Sequence, residues 1–221
     1  MCGRFADRLD AAQLVEAFGL EGADAELPAR FNIAPRALVP VIASGRPRRL
    51  GAFRWGLVPS WAKDARMGDR LVNARVEDLA RRPAFQAGET RRCLVLADGF
   101  YEWLGQGGRK LPWFFELPDH RPFGFAALWD AWSGPDGAVI HSCVILTAPA
   151  SGAPAAVHDR MPVVLPLELY PRWLSGDRVP LGRWADVLAG VHPPWVGHQV
   201  STYVNSADHE GQACLAAPEP A

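Results

Sequence analysis

The second residue of this chain is a cysteine, and that position offers chemistry an internal cysteine lacks. Once Met1 is removed, Cys2 presents an α-amine and a thiol on adjacent carbons. In model peptides these titrate near about 7.7–8.0 and about 8.5, so both are within reach of activation at neutral pH. An amine and a thiol so placed can condense with an aldehyde, first as a Schiff base and then as a five-membered thiazolidine. Three further groupings share a form: Cys2-x-Arg4, Asn73-x-Arg75 and His158-x-Arg160. On extended backbone, residues two apart face the same way, so each would set a guanidinium beside a reactive or orienting group. That pattern suits a phosphate-bearing electrophile. Asp98-Gly99-Phe100-Tyr101-Glu102-Trp103 puts a carboxylate among aromatics, where desolvation raises its pKa and suits it to proton transfer. The alternative for Glu102 is a strand end with its head in water, and for His158 a structural role. Trp55 and Trp61 could stack single-stranded bases or belong to the core.

The elements that must position these groups are mostly short strands. Asp10 to Gly19 carries a helix signature, with Asp10 as N-cap, Gln13 three residues on, Ala11, Leu14, Val15 and Phe18 on one face, and Gly19 as terminator. Gly22 to Pro35 reads as loop. Leu38 to Ala43 and Arg49 to Trp55 read as paired strands around a turn at 44–47, with Pro40 pointing to an edge. Val76 to Ala80 reads as a short helix. Arg92 to Ala97 and Phe100 to Trp103 are β-favouring runs split by Asp98-Gly99, a hairpin or bulge signal. Strands follow at Pro112 to Leu117, Phe123 to Trp129, Val139 to Thr147 and Met161 to Leu165, helices at Leu167 to Leu174 and Arg183 to Ala189, and a last strand near Gln199 to Val204. The expected fold class is α+β, a single domain over residues 2–210 on a curved, mostly antiparallel, barrel-like sheet with peripheral helices. Residues 211–221, rich in Pro and Ala, are expected to be a disordered tail.

With 221 residues, nine tryptophans and ten phenylalanines, the chain can bury a substantial core. A net charge of -1 excludes coating nucleic acid through a general basic field, so any such binding needs a local patch. Of 23 basic residues only Lys63 and Lys110 are lysines, which favours bidentate contacts to carboxylate or phosphate, unless it reflects a genome that prefers arginine. Cys2, Cys93, Cys143 and Cys214 lack CxxC spacing, which argues against a zinc site and a disulfide framework. No metal or other cofactor is expected. With no charged leader and no apolar run long enough for a bilayer, the expectation is a cytoplasmic protein without a membrane partner.

Six segments follow one another in an order that resembles one family. They are Met1-Cys2-Gly3-Arg4-Phe5, Phe31-Asn32-Ile33-Ala34-Pro35, Trp55-Gly56-Leu57-Val58-Pro59-Ser60-Trp61, Asn73-Ala74-Arg75-Val76-Glu77, Ala97-Asp98-Gly99-Phe100-Tyr101-Glu102-Trp103 and His158-Asp159-Arg160-Met161-Pro162. Together they resemble the SOS response-associated peptidase (SRAP) family of abasic-site-shielding proteins, from residue 2 to the Val204-Asn205 segment. Leu96 and Ala127 depart from the family pattern, where a proline and a glycine are common. The resemblance implies that Cys2 is the nucleophile that bonds to the abasic sugar and that Asn73 holds its terminus. Glu102 would move protons during Schiff-base formation, and His158 would act as acid and base on the opening sugar. Arg4, Arg75 and Arg160 would bind flanking phosphates, with Trp61 and Asn32 in the DNA channel. The implied partner is single-stranded DNA carrying abasic sites, with replication-fork proteins beside it, and the implied state is a monomer. Thiol autopeptidase and lyase-type activities are implied too.

An abasic deoxyribose is mostly a closed hemiacetal, and only its open form presents an aldehyde. Ring opening needs proton transfer, for which His158 and Glu102 are suited. The main rival is an N-terminal-nucleophile hydrolase of peptidase or amidotransferase type, in which Cys2 attacks an amide with its own amine as base. Glutamine amidotransferase domains also begin Met-Cys-Gly, but no further amide-binding motif is found here. A noncovalent single-strand binder is the third reading. If the three arginines each neutralise one phosphate, log K against log salt slopes by about -2, from roughly 0.7 per contact.

Overall fold

The structure, a computed structural model, describes residues 2–45 and 48–218. Twelve strands carry it: β1 (Phe5–Asp7), β2 (Arg30–Ile33), β3 (Leu38–Ala43), β4 (Leu50–Trp55), β5 (Asn73–Arg75), β6 (Arg92–Ala97), β7 (Gly99–Gln106), β8 (Arg109–Glu116), β9 (Phe123–Ser133), β10 (Val139–Pro149), β11 (Arg160–Pro162) and β12 (Val196–Gln199). They form two sheets. One has five strands in the order β12-β8-β7-β1-β2. In the other, β10-β4-β3-β6-β9 closes on itself because β9 also pairs with β10, and β5 and β11 attach to β10. β10 runs parallel to β4 and β5, and the other pairings are antiparallel. The expected single α+β domain on a curved, barrel-like sheet is what the chain builds.

Residues of the closed sheet alternate between two cores. Val41, Val95, Ala127, Cys143 and Ile145 share one with Cys2, Phe5, Phe100 and Phe115 of the N-terminus and the five-stranded sheet. Ile42, Leu94, Leu128 and Val144 share the other with three helices, through Leu14 on α1 (Ala11–Ala17), Trp173 on α2 (Tyr170–Trp173) and Trp184 on α3 (Gly182–Ala189). Because both faces are covered, β6 reads as an unbroken apolar run after Arg92. α1 starts as expected: Asp10 accepts from the Gln13 amide and Gln13 from the Asp10 amide, a reciprocal capping box.

Several expectations are corrected. β3 is not an edge: it lies between β4 and β6, and Pro40 is tolerated because pairing with β6 begins only at Val41. Asp98-Gly99 is not a hairpin but the crossing from one sheet to the other. Asp98 leaves β6 and accepts from the Arg8 backbone amide at 3.0 Å and Arg8 Nε at 2.6 Å, while Gly99 opens β7 with the Phe114 ring where a side chain would stand. The expected loop at 22–35 contains β2, and the expected strand at 199–204 ends at Gln199, because Ser201 caps Tyr203 into a 3-10 turn over Thr202–Asn205. Val76–Asp78 and Leu167–Leu169 are likewise 3-10 turns. The tail expected to be disordered from 211 forms a 3-10 turn at Gln212–Leu215, since Cys214 buries itself against Ala6, Tyr101 and Phe114. Residues 219–221, and Arg46 and Pro47 of the expected turn, lie outside the described residues.

Candidate active site

Cys2 is fully buried, three residues before β1 opens at Phe5. Its carbonyl accepts a 2.6 Å hydrogen bond from Asn73 Nδ2, and its Sγ lies 3.9 Å from the Arg4 carbonyl. Asn73 reaches it because β5 runs beside β10 with Asn73 in register with Ile145. Among the described residues Asn73 Oδ1 is buried without a hydrogen-bond partner. Met1, whose removal the resemblance implies, lies outside the described residues.

Glu102 stands on β7, beside β1 in the same sheet, and is buried. Burial pushes its carboxyl above the usual range, and the positive charge of His158 works against that rise. Burial also pushes the Cys2 thiol well up, and the charge of Glu102 adds to it. Glu102 is therefore close enough to feel the charge of His158 and to act on Cys2. Where neutral, His158 accepts the Arg160 backbone amide on Nδ1 at 3.0 Å; the same nitrogen lies 2.7 Å from Asp159 Oδ1, which can receive its proton when the ring is charged.

A groove of about 600 Å³ opens onto this cluster, lined by Arg4, Glu102, Trp103, Lys110, His158 and Asn205. A cavity of about 370 Å³ between Phe123, Leu167, Tyr170 and Pro193 contains none of the candidate groups.

The three arginines differ. Arg75 is exposed on β5 and makes no hydrogen bond or ion pair among the described residues. Arg4 donates to Asn32 Oδ1 at 2.6 Å and the Val204 carbonyl at 3.0 Å, and its guanidinium lies 5.6 Å from the Trp103 ring centre. Burial lowers its pKa. Arg160 is only 8% exposed and grips Glu77 with both terminal nitrogens, at 2.6 and 3.0 Å, while Nη2 also donates to the Thr147 carbonyl. Asn32 is fully buried and donates to the Ser206 and His209 carbonyls, so it touches the groove through Arg4. Trp61 is 57% exposed and does not line the groove.

Sequence reasoning gave no role to Trp103, Lys110, Asn205 or Glu77. Glu77 sits in the quoted Asn73–Glu77 segment, and Lys110 is one of only two lysines, so a signal existed for both. Asn205 had none.

No group of three or more His, Cys, Asp or Glu that could hold a metal ion occurs among the described residues. No helix among them is long and apolar enough to cross a membrane.

The SOS response associated peptidase (SRAP) family matches residues 1–207. Abasic site processing protein YoqW of Bacillus subtilis is 34% identical over 216 residues, covering 93% of this chain and 95% of its own. Abasic site processing protein HMCES of Xenopus tropicalis is 31% identical over 222 residues, covering 85% of this chain and 65% of its own. Among solved structures, a Bacteroides thetaiotaomicron protein superimposes with a TM-score of 0.86 at 18% identity, covering 98% of this chain and 99% of that one, which shows a shared fold. A Bordetella bronchiseptica protein gives 0.74 at 25% identity over 90% of this chain and all of its own. With the family match running nearly end to end and a full-length relative 34% identical, the chain belongs to the SOS response-associated peptidase (SRAP) family.

Proposed function

We propose that this protein senses and shields abasic sites in single-stranded DNA by forming a covalent thiazolidine crosslink through Cys2. The observation that carries the reading is the grouping around the Cys2 terminus: Asn73 holds its carbonyl, the charge of Glu102 reaches its thiol, and Glu102 and His158 line one groove with Gly3 and Arg4, the residues that follow Cys2. Relatives over almost the full chain are abasic site processing proteins, which supports the same substrate.

The chemistry begins with removal of Met1, in which Glu102 and His158 can assist Cys2 in cleaving its own amide. The freed amine then needs an aldehyde. His158 takes a proton from the sugar hydroxyl at C1′ and returns one to the ring oxygen, opening the hemiacetal. The neutral Cys2 amine attacks C1′ to give a carbinolamine. Glu102, whose protonated form burial favours, gives its proton to the departing hydroxyl, which leaves as water. The Schiff base carbon then accepts Sγ. Burial keeps the thiol as S–H, so its proton departs as the C–S bond forms, with the Glu102 carboxylate as acceptor. The balance is amine, thiol and aldehyde in, thiazolidine and one water out. Closing the ring removes the Schiff base from which β-elimination would cut the strand.

The test is intact mass and a denaturing gel of the protein, alone and after incubation with single-stranded DNA bearing one abasic site. Loss of Met1 and a heat-stable adduct that vanishes in Cys2→Ala are the expected results. Retained Met1, or an adduct independent of Cys2, overturns the reading; amide hydrolysis by the purified protein without any adduct favours the hydrolase.

A further inference from the structure

The cations in and next to the groove are unequally available. Arg160 is taken up by Glu77 and Thr147, and Arg4 by Asn32 and the Val204 carbonyl. Lys110 lines the same groove, is exposed, and makes no ion pair among the described residues. Its backbone is held in place. It pairs with Gly105 just beyond the Gly107-Gly108 turn, whose φ values of +57° and +76° suit glycine. Asn205 fastens this rim to the wall, accepting from Trp103 Nε1 at 2.6 Å and donating to the Lys110 carbonyl at 3.4 Å. An ammonium on a fixed stem therefore stands at the lip of a groove whose floor holds Glu102 and His158.

We propose that Lys110 binds a phosphodiester flanking the lesion in single-stranded DNA. This rests on the functional reading above and adds a contact outside the arginine pattern. Arg109, one residue earlier on β8, does not line the groove and serves as the control.

The measurement is equilibrium binding of the Cys2→Ala protein, which leaves association reversible, to a single strand with a tetrahydrofuran abasic analogue across a salt series. K110Q should reduce the slope of log K against log salt by about 0.7 and weaken binding about fivefold at 0.1 M salt, while R109Q keeps the parent slope. In the chain with Cys2 intact, K110Q should raise the DNA concentration for half-maximal crosslinking and leave the yield at saturation unchanged. An unchanged slope in K110Q, or an equal loss in R109Q, overturns the Lys110 contact while leaving the proposed function standing. Absence of binding by Cys2→Ala at every salt concentration overturns both.

Discussion

At the scale of single residues, Glu102 is the group whose environment is most at odds with stability. Burial raises its pKa, so the native state favours the protonated form. The sign follows: its contribution to stability is complete below the unfolded carboxyl value and is lost as pH rises through the raised folded value. Above that value the protein carries a buried charge whose cost the Glu102→Gln variant avoids. Glu102→Gln should therefore be more stable than the parent at alkaline pH, read as a higher urea midpoint, while its rate of adduct formation falls about 100- to 10,000-fold. A variant that is both less stable and fully reactive would remove Glu102 from proton transfer. Asn73 is a different case: its hydrogen bond goes to the Cys2 carbonyl, so in the proposed reaction it positions the terminus.

At the scale of elements, the site depends on the crossing at Asp98-Gly99, which delivers β7 and hence Glu102 to the sheet that holds β1. A Cβ at Gly99 would lie 1.9 Å from Phe114 Cζ, inside a ring that is itself fully buried. Gly99→Ala should cost roughly 1–3 kcal/mol through overpacking. It should also slow crosslinking under conditions where the protein is still folded, because the strand start must shift. Gly105→Ala, in the same strand with open space at its Cβ, is the matched control and should be neutral or slightly stabilising. Equal urea midpoints for the two variants would refute this. The same crossing shows what the sequence discloses and what it does not. The apolar runs at Arg92–Ala97 and Gly99–Gln106 are plain as strands, but Asp98-Gly99 is equally good turn chemistry for a hairpin. What separates the runs is Arg8, 90 positions away, which donates to Asp98 Oδ2 from both its backbone amide and Nε. Asp10 and Gln13, by contrast, settle α1 locally and are legible outright. In the site, Cys2, Asn73, Glu102 and His158 are legible because their types announce chemistry. Arg160 is misread in availability, since the Glu77 that neutralises it meets it across the β5–β10–β11 packing and not within its own segment.

At the scale of the molecule, a charged cluster with buried carboxylates joins the N-terminal segment to the rest. Arg8 bridges Asp98 at 2.6 Å and Glu116 at 2.9 Å, and His120 Nδ1 lies 3.2 Å from Glu116. Asp7 sits beside them on β1, buried, and burial reinforced by the charge of Asp98 pushes its carboxyl up to about 8, with the Leu9 amide opposing. Asp98 is raised as well, by burial, against the pull of Arg8. Asp7 is therefore protonated in the native state at neutral pH and ionised in the unfolded chain. Between about pH 4 and about 8 the native state holds a proton that the unfolded state has released, so stability falls with rising pH by up to about 1.4 kcal/mol per unit from this group. Asp7→Asn deletes that contribution: its urea midpoint should fall less steeply than the parent's from pH 5 to 9, with the slope left by Glu102 and Asp98, the two curves converging at the acid end. Parallel curves would mean that Asp7 is ionised in the fold. Because β1 begins three residues after Cys2, the strand loosened at alkaline pH is the one that holds Cys2, the nucleophile of the proposed reaction. Crosslinking by the parent should then fail at high pH before free-amine chemistry does, and Asp7→Asn should extend the alkaline limit.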